Sequence, residues 1–542
     1  MSRDLSRLVG VRHDLLVIGG GIHGLFAAYD AAQRGLSVAL VERADFGSGL
    51  SFNHQRTLHG GLRALGTGHV QKARRQIAER RAWALMAPHL IRPLPFMVGT
   101  YAGVAQSRWL IAAGFKAYDL IGRRRNAGLP AELVLPLTRM VSKTEAIRLF
   151  AGTSARGLTG AGVWHDYQTI HPDRTTWSVA LAAGAAGAVL CNYTEAIAPL
   201  LEGNRVAGAR VRDALTGQTS DVLARATLIC AGSALGDVMA NFGATGAPPL
   251  VRAMNLLIDR PGGELAVAVR GRAGRMLTAV PWRGFVLVGT HQSRDLVDAS
   301  DPAPGPVQVA EAISEVNQAF PSFAVRADDI RLVHHGLTPA VRRAGVADLM
   351  PESHVTRHNG AGRPGLLSIV GVKFTTARHT AEAAVDAVYG ELGLTPRPPS
   401  RTGQVALPYA IAPATAVTIA AQLADRHPAL DPADAVHLVD WYGSEAPAVA
   451  LVASERGLLN RLSSSSPVMA GEIVYAVTHG QALRLSDAVL RRTLLGSTGH
   501  PGREALTRAA DLMGSLLGWS AQQQLEETAA VERRYPLTRA VQ

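Results

Sequence analysis

A histidine and an arginine stand four residues apart around a pair of glycines in TLHGGLRAL, at residues 57–65. The histidine, His59, suits proton transfer, because an unperturbed imidazole has a pKa of about 6.5. The arginine, Arg63, suits a carboxylate or a phosphate, because its planar guanidinium can donate to two oxygens at once. Gly60 and Gly61 let the backbone come close to a bound molecule. The stretch predicts a substrate-facing loop; the alternative is a helix-capping loop with solvated charges.

A nucleotide-binding pattern precedes this loop, in DLLVIGGGIHGLFAAYDAAQRGLSVALVER at residues 14–43. It contains an apolar strand, a GxGxxG turn, an alanine-rich helix and a second apolar strand. The turn is made by Gly19, Gly21 and Gly24, and the second strand ends at Glu42. In such a βαβ unit the glycines let the backbone approach a pyrophosphate at the helix N-terminus, and the acid accepts hydrogen bonds from a ribose. The combination predicts a dinucleotide site.

A later glycine turn helps to choose the dinucleotide. In ARATLICAGSALGD, at residues 224–237, an apolar strand leads into Gly232 and Gly236. Flavoproteins with two dinucleotide strands place such a strand and turn near the cofactor, whereas simple NAD dehydrogenases need not. The sequence therefore favours FAD over NAD.

The length and the charge of the chain limit the alternatives. A chain of 542 residues is too long for one ordinary core, and we expect two or three domains. The net charge of +12 predicts attraction to an anion, which leaves nucleic acid, a lipid surface and a phosphorylated substrate open. No zinc-finger, KH or RNP pattern is present, so we predict neither nucleic-acid binding nor a metal site.

The apolar segments bear on location and on thiol chemistry. No apolar run reaches the roughly 18 residues that a membrane-spanning helix needs. The N-terminal segment lacks the apolar core and cleavage site of a signal peptide, so we expect a cytoplasmic protein. Cys191 and Cys230 lie in apolar, strand-like segments and are predicted to be buried thiols.

With these motifs the chain resembles the FAD-dependent glycerol-3-phosphate dehydrogenases, a branch of the D-amino-acid-oxidase-like flavoproteins. The resemblance is carried by IGGGIHGLFAAYDAAQRG, ERADFGSGLSFNHQRTLHGGLRAL, LSIVGVKFTTARHTAEAAVDAV and GEIVYAVTHGQALRLSDAVLRRTLLG, which follow the family's order. It covers almost the whole chain. It implies bound FAD, hydride transfer to the flavin from a small, hydroxyl-bearing anionic substrate, and quinone or oxygen as the final electron acceptor.

The resemblance also implies an α/β fold, with a Rossmann-like FAD-binding domain, an antiparallel-sheet substrate domain and an all-α C-terminal domain. The predicted segments are 10–90, 165–245 and 355–395 for the FAD-binding domain, 91–164 and 246–354 for the substrate domain, 396–404 for a proline-rich linker and 405–542 for the helical domain. Asp166, Asp173 and Arg174 are interpreted as turn and cap residues between the domains. The oligomeric state is open, with a homodimer as one alternative.

Site residues follow from the same resemblance. Lys373 in GVKFTT and Arg357 in HVTRHN match a lysine and an arginine of the family's motifs. A cation near the flavin or near a substrate phosphate would stabilise developing negative charge, whereas the alternative for Lys373 is a solvent-facing residue after a strand. The catalytic candidates are His59, as the base, with Arg63, Lys373 and Arg357. The cofactor-binding candidates are Gly19, Gly21, Gly24, Glu42, Arg43, Ser48, Gly60, Gly61, Gly232, Gly371, Lys373 and Thr375.

Four positions on the substrate side depart from the family's pattern, at Ala64, Asn255, Thr338 and Ala377. The resemblance implies tyrosine at the first and last, histidine at the second and arginine at the third. Loss of one charge-assisted hydrogen bond to phosphate would weaken binding roughly 10- to 100-fold, unless the arginines at 342–343 replace it. The substrate is therefore open. A larger phosphorylated, phosphonate or amine substrate and a catalytically inactive flavin-binding partner protein are both alternatives.

A basic helix follows the opening loop, in VQKARRQIAERRAWALM at residues 70–86. Its cations are Lys72, Arg74, Arg75, Arg80 and Arg81. Such a helix could rest on an anionic membrane surface at the inner face of the cytoplasmic membrane, and respiratory members of the resembled family are peripheral membrane enzymes. A solvated helix face is an equal alternative.

Overall fold

The computed structural model describes residues 3–103, 107–152, 156–271, 274–300, 303–343 and 346–535, without the side chains of Arg343 and Val346. Residues 536–542 of the predicted helical domain lie outside the described ranges. The strands are β1 (Arg12–Ile18), β2 (Val38–Val41), β3 (Thr57–Leu58), β4 (Ile91–Tyr101), β5 (Arg139–Val141), β6 (Leu158–Thr169), β7 (Val189–Cys191), β8 (Thr194–Glu202), β9 (Arg205–Asp213), β10 (Thr219–Ile229), β11 (Leu250–Ile258), β12 (Ala266–Arg270), β13 (Met276–Trp282), β14 (Phe285–Gln292), β15 (Ile330–Arg343), β16 (Val346–Leu349), β17 (His354–Arg357) and β18 (Leu366–Val370). The helices are α1 (Ile22–Gln33), α2 (Leu62–Gly66), α3 (Val70–Met86), α4 (Arg108–Ile121), α5 (Lys143–Leu149), α6 (Pro172–Ala185), α7 (Leu235–Asn241), α8 (Pro306–Ala319), α9 (Ala377–Leu392), α10 (Pro413–Arg426), α11 (Pro432–Tyr442), α12 (Ala446–Glu455), α13 (Ala470–Thr478), α14 (Leu485–Asp487), α15 (Arg503–Leu517) and α16 (Ala521–Glu532).

The first sheet has eight strands within the described ranges. Its central strands lie in the order β18-β10-β1-β2-β7 and run parallel. Strand β17 pairs antiparallel with β18, while β8 and β9 form an antiparallel extension on β10. Because parallel strands end at the same edge, the segments that follow β1, β2, β10 and β18 meet there. We call this edge the carboxyl edge.

Both faces of the first sheet are covered, which explains why its strands are continuous apolar runs. Leu15 and Val17 of β1 belong to a core shared with helices α1, α6 and α9. Leu16 and Ile18, which point to the opposite face, belong to a second core that includes α7. The alternation of these four residues places one layer of packing on each side of β1.

The second sheet contains the strands β16-β15-β11-β14-β13-β12-β4-β6-β3 in that order, with β5 paired to β6. Its pairs are antiparallel except for β12 beside β4. One face packs against α5 and α8, and the other joins an apolar core shared with the C-terminal helices. Strand β3 carries the start of TLHGGLRAL into this sheet, and the next residue, His59, donates its N–H to Thr375 in the loop that follows β18 of the first sheet.

The helices α10 to α16 form the C-terminal region and are joined to the first sheet by buried ion pairs. Asp45, which follows β2, pairs with Arg491 at 2.6 Å and with Arg492 at 2.7 Å. The predicted linker is also attached, since the Thr402 hydroxyl accepts a hydrogen bond from Arg378 at 3.3 Å. The helical region is therefore fixed to the segment that follows β2.

The predicted fold class is confirmed, with a Rossmann-like sheet, a largely antiparallel second sheet and a helical C-terminal region. Cys191 and Cys230 are buried free thiols, as expected. None of the helices in the described segments is both long and apolar enough to cross a bilayer. The domain boundaries stay our proposal. Strand β3 joins the second sheet from the segment assigned to FAD binding, and β6 runs across the proposed boundary at residues 164–165.

Candidate active site

The carboxyl edge brings together the glycine turn and three other predicted elements. Gly19 follows β1, Glu42 follows β2, Gly232 follows β10 and Gly371 follows β18. These strands are neighbours in the sheet, so positions far apart in the sequence share one edge. This is where ligands bind in open α/β sheets.

The glycine turn between β1 and α1 leaves no room for a side chain at Gly19 or Gly24. Gly19 has φ +112°, and a Cβ there would lie 2.5 Å from the carbonyl oxygen of Cys230. A Cβ at Gly24 would lie 1.9 Å from the carbonyl oxygen of Gly19. Helix α1 begins immediately after Gly21, which has no side chain to cap it. The turn therefore presents the amides of a helix N-terminus, an arrangement that favours an anion.

Glu42 is held against the turn. Its Oε2 accepts a hydrogen bond from the backbone N–H of Gly20 at 2.6 Å, and its Oε1 accepts one from Ala44 at 2.9 Å. Burial raises the pKa of this carboxyl, although the two backbone donors oppose the shift. The acid thus lies beside the glycine turn, as the ribose role requires.

The loop after Glu42 contributes a hydroxyl that sequence reasoning missed. Ser51 Oγ accepts a hydrogen bond from the N–H of Ile22, the first residue of α1, at 2.9 Å. The predicted Arg43 is exposed, and the N–H of the predicted Ser48 donates to Asp45 at 3.2 Å. The signal for Ser51 was a hydroxyl in a loop that returns to the glycine turn.

Two partly buried histidines, His23 and His54, lie near the loop that follows β18. A Cβ at Gly371 would lie 2.6 Å from Nδ1 of His23, so glycine permits this close packing. The ring of His54 stacks on Phe374 with 4.2 Å between centroids. Burial lowers the pKa of His23 to about 4 and that of His54 to about 3, so both rings are neutral. Neither Nε2 has a hydrogen-bond partner in the part of the chain that the structure describes.

The TLHGGLRAL loop packs tightly at its glycines. A Cβ at Gly60 would lie 2.1 Å from the Tyr118 hydroxyl and 2.2 Å from Nη1 of Arg80. Gly61 has φ +84° and precedes α2, where a Cβ would lie 2.9 Å from Cα of Ala73. These contacts give both glycines a packing reason within the protein. A direct contact of Gly60 and Gly61 with a cofactor stays a prediction.

His59 is fixed by contacts on its backbone and on its ring. Its N–H donates to Thr375 Oγ1 at 3.2 Å, which joins two of the predicted segments. Its Nδ1 lies 3.2 Å from Oδ2 of Asp166, and 53% of its side chain is exposed. Asp166 therefore holds Nδ1 of the His59 ring, while about half of the side chain stays open to solvent.

Asp166 is the buried centre of this region, not the turn residue that the sequence suggested. It lies within β6 and accepts hydrogen bonds from the N–H of Gly60 at 2.7 Å and from Arg80 at 2.5 Å. Trp164 Nε1 also lies 3.3 Å from its Oδ2. Burial opposes ionisation, but the hydrogen bond from His59 and the Arg80 charge outweigh it and hold the pKa of Asp166 below its ordinary value.

Arg63 and Lys373 supply positive charge to the same region. Arg63 is exposed on α2, and Lys373 is partly buried in the loop between β18 and α9. The pKa of Lys373 is lowered to about 8, mainly by burial and then by the nearby charges of Lys72 and Arg63, while Glu352 opposes the shift. Lys72 and Arg63 are therefore close enough to Lys373 to act on its charge.

Arg357 lies elsewhere. On β17 it is level with Leu367, near the start of β18, whereas the loop with Lys373 follows the opposite end of that strand. Its guanidinium is 2.8 Å from Glu391 in the last turn of α9. The structure gives Arg357 an ion pair there and does not bring it together with the other three catalytic candidates.

The four departures from the family's pattern are all buried. Ala377 belongs to the core around α1 and α9, and Ala64 lies on α2. Asn255 Nδ2 donates to the carbonyl of Asn53 at 3.3 Å, and its Oδ1 accepts from Thr290 at 2.9 Å. Thr338 lies on β15. None of the four adds a charge to the region, and Arg342 is exposed toward the end of β15.

Arg56 is a further buried cation that the sequence did not predict. Arg56 is fully buried, its Nη1 lies 3.1 Å from Nε2 of His334, and its guanidinium lies 3.9 Å from the centroid of the Trp282 ring. Burial lowers its pKa to about 10, so it keeps its charge at neutral pH. Nothing in its local sequence, NHQRT, distinguished it from a surface arginine.

Comparison with known proteins places the fold and the carboxyl edge in a family. Residues 14–382 match the FAD dependent oxidoreductase family, and residues 400–524 match the C-terminal domain of alpha-glycerophosphate oxidase. A glycerol-3-phosphate dehydrogenase of Synechocystis is 30% identical, over 96% of this chain and 96% of its own length. The chain belongs to the FAD-dependent glycerol-3-phosphate dehydrogenase family. It is therefore an oxidoreductase whose cofactor is FAD.

Other members of the family agree with this assignment. A glycerol-3-phosphate dehydrogenase of Mycobacterium leprae is 30% identical over 96% of this chain and 88% of its own length. The crystal structure of a glycerol-3-phosphate dehydrogenase from Bacillus halodurans, complexed with FAD, superimposes with a TM-score of 0.75. That match covers 98% of this chain and 96% of the other at 22% sequence identity, and it supports the fold.

The residues at the carboxyl edge fit the FAD of the family. The glycine turn accepts no Cβ at Gly19 or Gly24, which keeps the close packing of a dinucleotide-binding turn. Glu42 stays the predicted acceptor for a ribose, and the unpartnered Nε2 atoms of His23 and His54 are buried polar groups that a ligand could satisfy. We infer that Gly19, Gly21, Gly24 and Glu42 hold the dinucleotide half of the cofactor.

Proposed function

We propose that this protein oxidises glycerol 3-phosphate, or a closely related anionic hydroxy compound, at the carboxyl edge. The observation that carries the proposal is the pair of cations, Arg63 and Lys373, in the region of the half-exposed His59. The relatives, which are glycerol-3-phosphate dehydrogenases by name, support the choice of substrate.

Each residue has a separate task in this proposal. Arg63 and Lys373 hold the phosphate, because a guanidinium and an ammonium both donate charge-assisted hydrogen bonds to anionic oxygens. His59 accepts the proton of the substrate hydroxyl. When bound, FAD supplies the two-electron acceptor for the hydride that leaves the hydroxyl-bearing carbon.

Anaerobic flavin reduction tests the proposal. Purified protein with bound FAD is mixed with glycerol 3-phosphate, and the loss of oxidised flavin absorbance is followed. Glycerol, which has the hydroxyl groups but no phosphate, is the matched control. We expect rapid bleaching with glycerol 3-phosphate and little with glycerol. Equal rates for both compounds would show that the cations do not select the substrate.

A different anionic substrate is the second candidate, and the four substituted positions favour it. Thr338 has no charge, so a phosphate contact at that position would have to come from another residue. The test is the same assay with a panel of larger phosphorylated and phosphonate-containing alcohols and amines. Bleaching by one panel member alone would identify that class. A flavin that no compound reduces would favour a catalytically inactive binding partner.

We also propose that quinone or oxygen reoxidises the enzyme. Reduced enzyme is mixed separately with air-saturated buffer and with a soluble quinone, and the return of oxidised flavin is timed. Faster reoxidation by quinone would assign a dehydrogenase, and faster reoxidation by oxygen an oxidase.

We propose cytoplasmic localisation with contact to the inner face of the cytoplasmic membrane, and the structure favours α4 over the predicted α3 for that contact. Two of the α3 cations are engaged within the protein, since Arg80 is buried against Asp166 and Arg81 donates to Ala127 at 2.6 Å, whereas Arg74 and Arg75 are exposed. On α4, Trp109 is 83% exposed and Leu120 is 70% exposed. Exposed tryptophan and leucine suit the membrane interface.

Sedimentation with lipid vesicles tests this surface. Nearby exposed cations, Arg108 and Lys116 of α4, predict stronger binding to anionic than to neutral vesicles. Trp109→Ser is expected to reduce the bound fraction. Val417→Ser, at an exposed position on α10, is the matched control and should leave binding unchanged. Equal binding by wild type and Trp109→Ser would remove α4 from the proposal.

A further inference from the structure

We propose that Asp166 is a positioning residue for His59: it holds the imidazole with Nδ1 protonated and leaves Nε2 as the atom that accepts the substrate proton. The inference rests on the proposed function, because it assigns a partner to the proposed base. The sequence did not suggest it, since Asp166 and His59 are 107 residues apart.

The Asp166 carboxylate has little freedom to turn. Oδ1 accepts hydrogen bonds from the N–H of Gly60 at 2.7 Å and from Arg80 at 2.5 Å. Oδ2 accepts from Trp164 Nε1 at 3.3 Å, and Nδ1 of His59 lies 3.2 Å away. Since both oxygens are engaged by groups from different elements, the carboxylate presents Oδ2 to the imidazole in one orientation.

The protonation of the imidazole follows from this contact. An ionised carboxylate can only accept hydrogen bonds, so Nδ1 of His59 must be the donor. A neutral imidazole carries one proton, and Nε2 is then the nitrogen with a free lone pair. The His59 N–H is bound to Thr375 Oγ1, which fixes the backbone below the ring. The ring is therefore set to receive a proton at Nε2.

Several charges act on this pair. Asp166 is negative and adjacent, while Arg80 of α3 contacts the same carboxylate from the other side. His54, in the loop before β3, is close enough to interact electrostatically with His59 and is neutral. When His59 takes the hydroxyl proton, Asp166 stabilises the resulting imidazolium. The proton stays on His59, the C–H electron pair leaves as hydride to the FAD of the family's activity, and a C=O bond forms.

A pH profile of anaerobic flavin reduction tests the role of Asp166. In Asp166→Asn the reduction rate is expected to fall roughly 100-fold, because one tautomer is no longer enforced, while the substrate KM changes much less. The acidic limb of the profile is expected to move to lower pH, because the imidazolium loses its neighbouring negative charge. Asp221→Asn, the same substitution at an exposed acid of β10 that pairs with Arg210, is the matched control and should leave the limb in place.

A double-mutant cycle separates a positioning role from a general structural one. If Asp166 acts through His59, adding Asp166→Asn to His59→Gln should cost little further rate. Fully multiplicative effects, or an unchanged pH limb in Asp166→Asn, would overturn the inference. If wild-type flavin is reduced by no compound of the substrate panel, the proposed function fails instead, and the two failures are thereby distinguished.

A measurement on the wild-type holoenzyme covers the case in which Asp166→Asn does not fold. Nitrogen-15 labelled histidine reports which ring nitrogen carries the proton, and His59→Gln identifies the His59 signal by its loss. At pH values above the acidic limb of the rate profile, we expect the neutral imidazole with its proton on Nδ1. A spectrum with Nε2 protonated would contradict the inference.

Discussion

The glycine turn and the cationic region of Arg63 and Lys373 differ in how they are built. At the turn, backbone packs on backbone, and a Cβ at Gly24 would lie 1.9 Å from a carbonyl oxygen. In the cationic region the charge is carried by flexible side chains, one of them exposed. Backbone packing tolerates few residue types, whereas an exposed cation can be replaced without repacking. The residue types at the cofactor site are therefore more tightly constrained by packing than those at the substrate site.

The largest effect is expected from a methyl group placed in the turn. Gly24→Ala should abolish FAD binding, because the new Cβ meets the Gly19 carbonyl oxygen and neither backbone can give way without opening the turn. The measurement is the ratio of flavin to protein absorbance after purification. Gly114→Ala, within α4 where an added Cβ meets no atom within 4 Å, is the control and should retain full flavin. A Gly24→Ala protein with normal flavin content would show that FAD binding does not depend on the backbone packing of the turn.

A large loss of stability is expected where the C-terminal helices meet the segment after β2. Arg492→Met removes a guanidinium that lies 2.7 Å from the buried Asp45 and leaves that carboxylate less well compensated. Breaking a buried pair in this way costs about 3 to 5 kcal/mol. The thermal unfolding midpoint should fall clearly, with FAD released at a lower temperature. Arg210→Met, which breaks an exposed pair with Asp221, should leave the midpoint within error.

A smaller effect, on substrate alone, is expected at Lys373. Lys373→Met should lower kcat/KM for an anionic substrate roughly 10- to 100-fold, the worth of one charge-assisted hydrogen bond. The FAD content should be unchanged. Lys143→Met, at an exposed lysine of α5, serves as the control. An equal loss of kcat/KM for a neutral alcohol would show that Lys373 does not bind the anionic group of the substrate.

The same lysine predicts a pH dependence. Its pKa is lowered to about 8, so its charge is present below that pH and is lost as the pH rises through it. The KM for a phosphorylated substrate should therefore increase above about pH 8. Lys373→Arg stays charged and should remove the increase. An identical rise in both proteins would assign it to another group.

The smallest effect is expected at Arg357, which the resemblance placed among the catalytic residues. Its ion pair with Glu391 is partly exposed and lies at the other end of β18, so Arg357→Met should change turnover less than about threefold. Steady-state kinetics with the best substrate of the panel measure this. A tenfold loss with normal FAD content would favour the resemblance over the geometry.

Local patterns in the sequence predicted the βαβ unit well, because its glycines, strands and acid are close together in the chain. Gly19, Gly21, Gly24 and Glu42 all lie at the carboxyl edge. The family resemblance likewise placed Lys373 and Thr375 in the loop after β18. These positions depend on short segments whose conformation is largely local.

Long-range contacts could not be read in the same way. The resemblance to the family's stretch between the domains predicts that Asp166 is a turn or cap residue, yet it lies within β6 and is buried beneath the loop that contains Gly60. Arg80 is among the cations predicted to face either a membrane surface or solvent, but the structure buries it against that same carboxylate. Pairing between β3 and β6 creates both environments, and no local spacing records it.

The central claim is that the anion and the hydroxyl of one substrate are bound by residues from two loops above the same edge. A crystal structure of the FAD-loaded protein with glycerol 3-phosphate tests it most directly. The account predicts the phosphate within hydrogen-bonding distance of Arg63 and Lys373, and the hydroxyl within hydrogen-bonding distance of Nε2 of His59. A ligand bound away from these three side chains, with His59 facing solvent, would contradict it.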